Sequence, residues 1–232
     1  MAATSLHHGD HLADARERLI EAALPHVAFD GWSEDTMKLA LAETGIEPEM
    51  GRLLFPRGGV DMALAFHRMM DARLADELAR TDMSAMRIRE KVTFAVRRRI
   101  ELVARHREAV RRGATLFGLP VYAPDGARAI WETADTIWTG IGDTSDDYNW
   151  YTKRAILASV YSATVLYWLG DETPGYSATW AFLERRIENV MQFEKTKAAI
   201  EGNPLARAAF WGPRQMLKLV RPPARARGQG PA

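Results

Sequence analysis

No cysteine occurs among the 232 residues, which excludes disulfide staples, thiolate metal sites and cysteine nucleophiles. A glycine-rich phosphate loop ending in lysine and a GxSxG elbow are also missing, so two common local signatures of nucleotide handling and acyl transfer are absent. No segment alternates apolar and polar residues for the length of a strand, and a half-buried sheet is not expected. Uninterrupted apolar length is short as well. The charge-free run Ala155 to Gly170 falls below the ~20 residues needed to cross a bilayer.

What is present bounds the chain from the other side. With 47% hydrophobic residues it can bury a full core, so disorder throughout is excluded. The formal charge of +1 hides an asymmetry: from Glu194 onward eight Lys or Arg face only Glu194 and Glu201. A basic tail on an acidic body favours local contact with phosphate, in lipid headgroups or nucleic acid, over coating of DNA by the whole surface. His7, His8 and His11 hold an i, i+4 pair at a terminus and read as inert, while His26, His67 and His106 are isolated. Asp143, Asp146 and Asp147 lack the glycine and distal glutamate of a calcium loop. Neither a metal, nor a cofactor, nor a catalytic set is expected. The first nineteen residues have no signal-peptide core and carry Asp10 and Asp14, where a mitochondrial leader avoids acids. The chain therefore reads as bacterial and cytosolic-facing, or as a mature form, and the expected location is cytoplasmic and peripheral to the bacterial inner membrane.

Helical period recurs almost everywhere and predicts an all-α protein. A first helix is expected from about Asp10 to Phe29, ended by Asp30-Gly31. Ser33 is a candidate N-cap, followed by Glu34 and Asp35 in the first turn. Thr44-Gly45-Ile46 reads as a tight turn, and Pro48 opens a short third helix. Longer helices are expected over 60–80, 84–106, 107–118, 124–140, 147–169 and 175–197. The helix after Asp143 is apolar on nearly every side: Trp150, Leu157, Tyr161 and Trp168 form one stripe, Tyr151, Ala155, Ala158, Val165 and Leu169 a second, and Ile156, Val160 and Tyr167 a third. One core rarely absorbs all three, so this helix is expected to meet company as well.

A long helix, a short helix, a glycine turn and a further short helix have the layout of a helix-turn-helix, and their order resembles the TetR family of repressors. That resemblance implies a second motif helix in the major groove. Here the stretch from Ser33 to Arg57 is net acidic, with Glu47 and Glu49 at the start of the candidate reading helix, where they would repel phosphates. Leu54-Phe55-Pro56-Arg57-Gly58-Gly59 also lacks the lysine typical of that family. Nucleic-acid binding is not expected, although a ligand-responsive TetR-type regulator stands as the alternative function.

Asp146-Asp147-Tyr148-Asn149-Trp150-Tyr151-Thr152-Lys153-Arg154-Ala155, continued by Leu157-Ala158, Tyr161 and then Thr179-Trp180 with Phe182-Leu183-Glu184-Arg185-Arg186, resembles the coenzyme Q biosynthesis protein nine family over roughly Arg16 to Met191. The resemblance implies a TetR-like fold with no known DNA regulation. It also implies an interior pocket for an isoprenoid or phospholipid, and assistance to the di-iron hydroxylase of ubiquinone synthesis. It implies a hydroxylase-docking surface at Ile137, Ile141, Asp147, Trp150, Tyr151 and Arg154, residue types that dominate interfaces where they are aromatic or arginine. It further implies a lipid cavity, for which Phe94, Leu102, Leu116, Trp131, Ala134, Leu157 and Tyr161 are the candidate lining.

The segment from Pro204 to Arg221 joins Leu205, Phe210, Trp211, Met216 and Leu217 to the bases Arg214 and Lys218 with no acid, an interfacial-membrane composition. The organisation expected is a helix-turn-helix-like part over 10–58, a lipid-binding and dimerisation domain over 59–197, a membrane-contacting segment over 198–221 and a disordered tail over 222–232. The two long helices 147–169 and 175–197 are the expected homodimer contact.

Overall fold

In a computed structural model, residues 2–145 and 148–202 are described, with side chains over 11–145 and 148–192. The described residues contain helices and turns and no strand, as the periodicity predicts. They form α1 (Ala2–Asp30), α2 (Glu34–Thr44), α3 (Pro48–Leu54), α4 (Gly59–Arg80), α5 (Ile88–Val103), α6 (Arg107–Phe117), α7 (Ala123–Gly140), α8 (Tyr148–Gly170) and α9 (Ser177–Gly202). Two boundaries depart from expectation. α1 reaches back to Ala2, and α5 starts only at Ile88, after an Asp82 turn in which Ser84 N donates to Asp82 Oδ1. Local chemistry sets the remaining ends. Ser33 Oγ accepts from Thr36 N at 3.2 Å and so caps α2, and Gly45 at φ 65° closes it in a left-handed conformation that a side chain would strain.

The chain divides into two compact units, Met1–Ile141 and Gly142–Ala232. In the first, α1 packs on α2, α4 and α6, while α4 also lies against α5 and α7. Leu19, Ala23 and Val27 of α1, with Met62, Met70 and Leu74 of α4, are buried in its core. A satellite of Val60, Leu64 and Ala129 is covered by Leu116, Phe117 and Tyr122. Close backbone approach at the α3–α4 corner demands glycine. A Cβ on Gly59 would overlap the Trp32 carbonyl, and the Trp32 indole is itself fixed by Nε1 donating to Ala109 O at 3.0 Å.

Three polar residues buried in this unit, Asp71, Arg99 and Thr133, are paired to one another. Arg99 Nε of α5 donates to Asp71 Oδ1 of α4 at 2.6 Å, and Arg99 Nη2 donates to His67 O at 3.1 Å. Thr133 Oγ1 of α7 lies 3.0 Å from both Asp71 oxygens and 2.7 Å from His67 Nε2. Thr133 has one hydroxyl proton and the carboxylate can only accept, so His67 must donate from Nε2, and its neutral tautomer is fixed. Burial first, and the Arg99 cation second, lower the His67 pKa to about 4.

The second unit is a helical hairpin of α8 and α9. Its corner is organised by Asp171. Oδ1 accepts from Thr173 N and Oγ1, and Oδ2 accepts from Thr179 N and Oγ1, all within 2.6–2.8 Å. These bonds stabilise the charged carboxylate and hold its pKa well below the ordinary range. Thr179 N is one of the open N–H groups at the start of α9 that these bonds satisfy, and Thr173 Oγ1 accepts from another, Ala178 N, at 3.1 Å.

Candidate functional site

The fairly specific sequence motif sits on the first turns of α8, and the structure shows how the loop before it fixes those turns. Asp143 is buried at 3% side-chain exposure. One of its oxygens accepts from Lys153 Nζ at 2.8 Å and Ser145 Oγ at 2.8 Å, and the other from Arg154 Nη1 at 3.1 Å. Burial alone would raise its pKa, but the hydrogen bonds from Lys153, Ser145 and Arg154 outweigh that and hold it at about 2. Arg154 is 0% exposed. Its Nη1 also donates to Trp150 O at 3.1 Å, and its guanidinium carbon lies 4.0 Å from the centroid of the Trp150 ring, within cation–π range. Tyr151 meets the same indole edge-on at 4.8 Å.

Among the described residues, Arg154 meets the carboxylate of Asp143. Asp147 lies outside the described residues. Trp150, at 8% exposure, and Arg154 are buried rather than offered to solvent. On these turns Tyr148, at 40%, and Asn149 are exposed, and Tyr151 is half-buried. Ile137 (0% exposed) and Ile141 are buried residues of the first unit.

The buried stripe of α8 runs Trp150, Arg154, Leu157, Tyr161, Thr164 and Trp168, with alternating steps of four and three residues. The apolar members were legible in the sequence; Arg154 and Thr164 complete the stripe because Arg154 meets Asp143 and Thr164 Oγ1 donates to Val160 O at 2.7 Å. Leu166 and Tyr167 remain exposed. Tyr167 stacks on Phe182 of α9 at 4.5 Å between centroids, with the planes 11° apart, and Arg186 lies over Phe182.

Among the expected lipid-lining residues, Phe94 and Leu102 of α5 and Trp131 of α7 are half-buried, and Ala134 of α7 is fully buried. Leu116 packs on the Val60–Leu64–Ala129 satellite. Leu157 and Tyr161 are buried members of the α8 stripe in the second unit. The expected membrane contacts Leu205, Phe210, Trp211, Arg214, Met216, Leu217 and Lys218 lie outside the described residues.

The candidate DNA-reading helix α3 shows solvent an apolar face. Leu53 is 66% exposed and Met50 is also exposed, while Arg52 is paired with Glu49 at 3.7 Å. Arg57, which stands where a lysine was looked for, instead ties the α3–α4 corner to α7. Its Nε donates to Asp61 Oδ1 at 2.9 Å and its Nη1 to Asp125 Oδ2 at 2.8 Å.

Comparison with known proteins locates the same motif. The COQ9 family model matches residues 123–194. The chain is similar to the mitochondrial ubiquinone biosynthesis protein COQ9 of Drosophila melanogaster, 31% identical over 191 residues that cover 81% of this chain and 58% of the fly protein. It is 27% identical to the mitochondrial ubiquinone biosynthesis protein COQ9 of Homo sapiens over 193 residues, which cover 80% of this chain and 60% of the human protein. The chain thus spans about three-fifths of the length of these relatives. In structure it is similar to the TetR transcriptional regulator from Nitrosomonas europaea ATCC 19718, with a TM-score of 0.58 and 16% identity over 75% of this chain and 97% of that one. This likeness supports the TetR-like all-α fold. The relatives' mitochondrial names overturn the expected bacterial, inner-membrane localisation. That expectation rested on acids near the N-terminus, which carry no compartment signal in a chain aligned with only part of its relatives.

Proposed function

We propose, from the match of residues 123–194 to the COQ9 family model, that the chain is a non-enzymatic accessory protein of ubiquinone biosynthesis. It holds a hydrophobic precursor, an isoprenoid or a phospholipid-like guest, and presents it to a hydroxylase at a membrane surface. The carrying observation is the construction of α8: Asp143, Lys153 and Arg154 lock the first turns around a buried Trp150, so that Tyr148 and Tyr151 are held outward on a rigid helix. Rigid aromatic side chains on a preorganised element suit docking, because little freedom is lost on binding.

In this reading Tyr151 is the docking contact, and Trp150 and Arg154 support it from within α8. Asp147 fixes register by charge. Phe94, Leu102, Trp131, Ala134 and their neighbours surround the guest, and the basic segment from Leu205 to Lys218 rests on the membrane. Binding of this kind raises effective concentration and leaves bond-making to the partner. The names of the relatives support the pathway.

The test is affinity capture of the hydroxylase by the full chain, with native mass spectrometry of the captured complex. Tyr151→Ala should cut capture at least about tenfold with an unchanged unfolding temperature, and the complex should carry a co-purified isoprenoid or phospholipid. Capture that is indifferent to Tyr151, or turnover of a quinone precursor by the chain alone, would overturn the proposal.

A further inference from the structure

A groove of about 610 Å³ opens in the first unit between α1, α3 and α4. None of the residues expected from the sequence to line a lipid cavity lines it. Its floor holds Ile20 and Leu54, both nearly inaccessible, and Leu53, at 66% exposure, forms one wall. Three charged residues stand at it: Arg16, Glu17 and Arg68. Two of them are already matched, because Glu17 accepts from Arg73 at 2.8 Å and Arg68 pairs with Glu132 at 3.3 Å. Arg16 is different. It donates through Nη2 to Leu54 O at 2.9 Å and lies over the Phe55 ring at 5.8 Å, and among the described residues no carboxylate pairs with it.

An apolar trough with one unmatched cation has the chemistry of a single hydrocarbon chain carrying one negative head. The volume falls in the ~300–1,000 Å³ range of small-molecule sites, which suits one chain better than a two-chain lipid or a docked helix. We propose that this groove binds a long-chain fatty acid, its carboxylate on Arg16 and its chain along Leu53, Leu54 and Ile20. A guanidinium offers five donors in a planar fork, so one bond to Leu54 O leaves others for a carboxylate. Helix α3, which occupies the DNA-reading position of the fold, thereby contributes an apolar wall to a ligand site. The proposal does not rest on the presentation of a ubiquinone precursor, which involves other residues.

The test is isothermal titration of the full chain with laurate and, separately, with the uncharged dodecanol. One laurate should bind per chain. Leu53→Glu, at an exposed position that folding tolerates, should weaken laurate at least about tenfold. Arg16→Gln should weaken laurate at least about tenfold but leave dodecanol unchanged, a split that a merely structural role for Arg16 would not produce. Val121→Glu, at an exposed position between α6 and α7, should leave both unchanged. Absence of laurate binding, equal binding by Leu53→Glu, or capture of an acidic amphipathic peptide in place of laurate would each overturn the assignment. None of these readouts depends on hydroxylase capture, so the two proposals fail separately.

Discussion

Arg154 is sandwiched between Asp143, to which its Nη1 donates at 3.1 Å, and the face of Trp150, 4.0 Å from its guanidinium carbon. Neutralising one member of a buried ion pair removes its Coulomb attraction and a charge-assisted hydrogen bond. Asp143→Asn should therefore destabilise the chain by about 3 kcal/mol, read as a fall in the urea midpoint. The double change Asp143→Asn with Arg154→Met should cost less than the sum of the two single changes, since both remove the same interaction. Additive costs would show that the ion pair is not what holds the loop to α8.

The same geometry decides which residue can test docking. Trp150 is buried, so Trp150→Ala opens a cavity and should cost about 3–5 kcal/mol, and any loss of partner binding would be confounded with unfolding. Tyr151 is half-buried and Tyr148 exposed, so their alanine variants should stay within about 1 kcal/mol of wild type in thermal unfolding. Circular dichroism melts of the three single variants check this ranking.

This distinction marks the limit of what the sequence revealed. The helices were legible because their signals are local: Ser33 caps Thr36 three residues on, Gly45 ends α2, and the α8 stripe repeats at helical spacing. The aromatic motif around Trp150 was legible too. Its orientation was not, because an aromatic stripe reads identically whether it faces a core or a partner. Asp143 and Arg154 are eleven residues apart across a loop, and Asp71, Arg99 and Thr133 come from three helices. Pairings that only packing brings together leave no periodic trace.

The buried network around His67 predicts an acid-sensitive stability. The folded-state pKa is lowered to about 4 from the ordinary 6.5 of histidine, so the unfolded chain takes up the proton first. Stability is then intact above pH 6.5, falls as pH drops towards 4, and loses up to about 3 kcal/mol across that window. His106, lowered by burial and then by Arg105, acts in the same direction. Asp143, held at about 2, acts in a separate window: its contribution is present above its ordinary 3.8 and is lost only below it. Near His67 stand Asp71, Arg99 and Glu132, and Thr133 accepts its proton. His67→Gln, which keeps a donor to Thr133 but cannot titrate, should flatten the slope of unfolding free energy between pH 6.5 and 4. An unchanged slope would remove His67 as its source.

At the corner before α4, Gly58 at φ 56° turns the chain and Gly59 packs against the Trp32 carbonyl. The obstacle at Gly59 is backbone, which cannot swing aside as a side chain can. Gly59→Ala should cost about 3 kcal/mol or more and perturb the Trp32 indole that bonds Ala109 O. The pair of readouts is a lowered urea midpoint and a changed tryptophan emission. Gly51→Ala makes a useful contrast, because its new methyl would press on the flexible tip of Leu41 rather than on backbone, and should cost less.

Self-association through α8 and α9 is the remaining expectation that can be put to measurement. Leu166 is 65% exposed, beside Tyr167 and its stacked partner Phe182, and exposed apolar residues that cluster are candidates for an interaction surface. A two-fold contact would place this patch against its own copy, where one introduced charge is duplicated across the axis and repels itself. Leu166→Asp should therefore convert a dimer to a monomer in sedimentation velocity. Because the side chain is exposed, its unfolding free energy at low protein concentration should change by no more than about 0.5 kcal/mol. A chain that sediments as a monomer before substitution, or as a dimer after it, would separate the exposed patch from self-association and leave it for the hydroxylase.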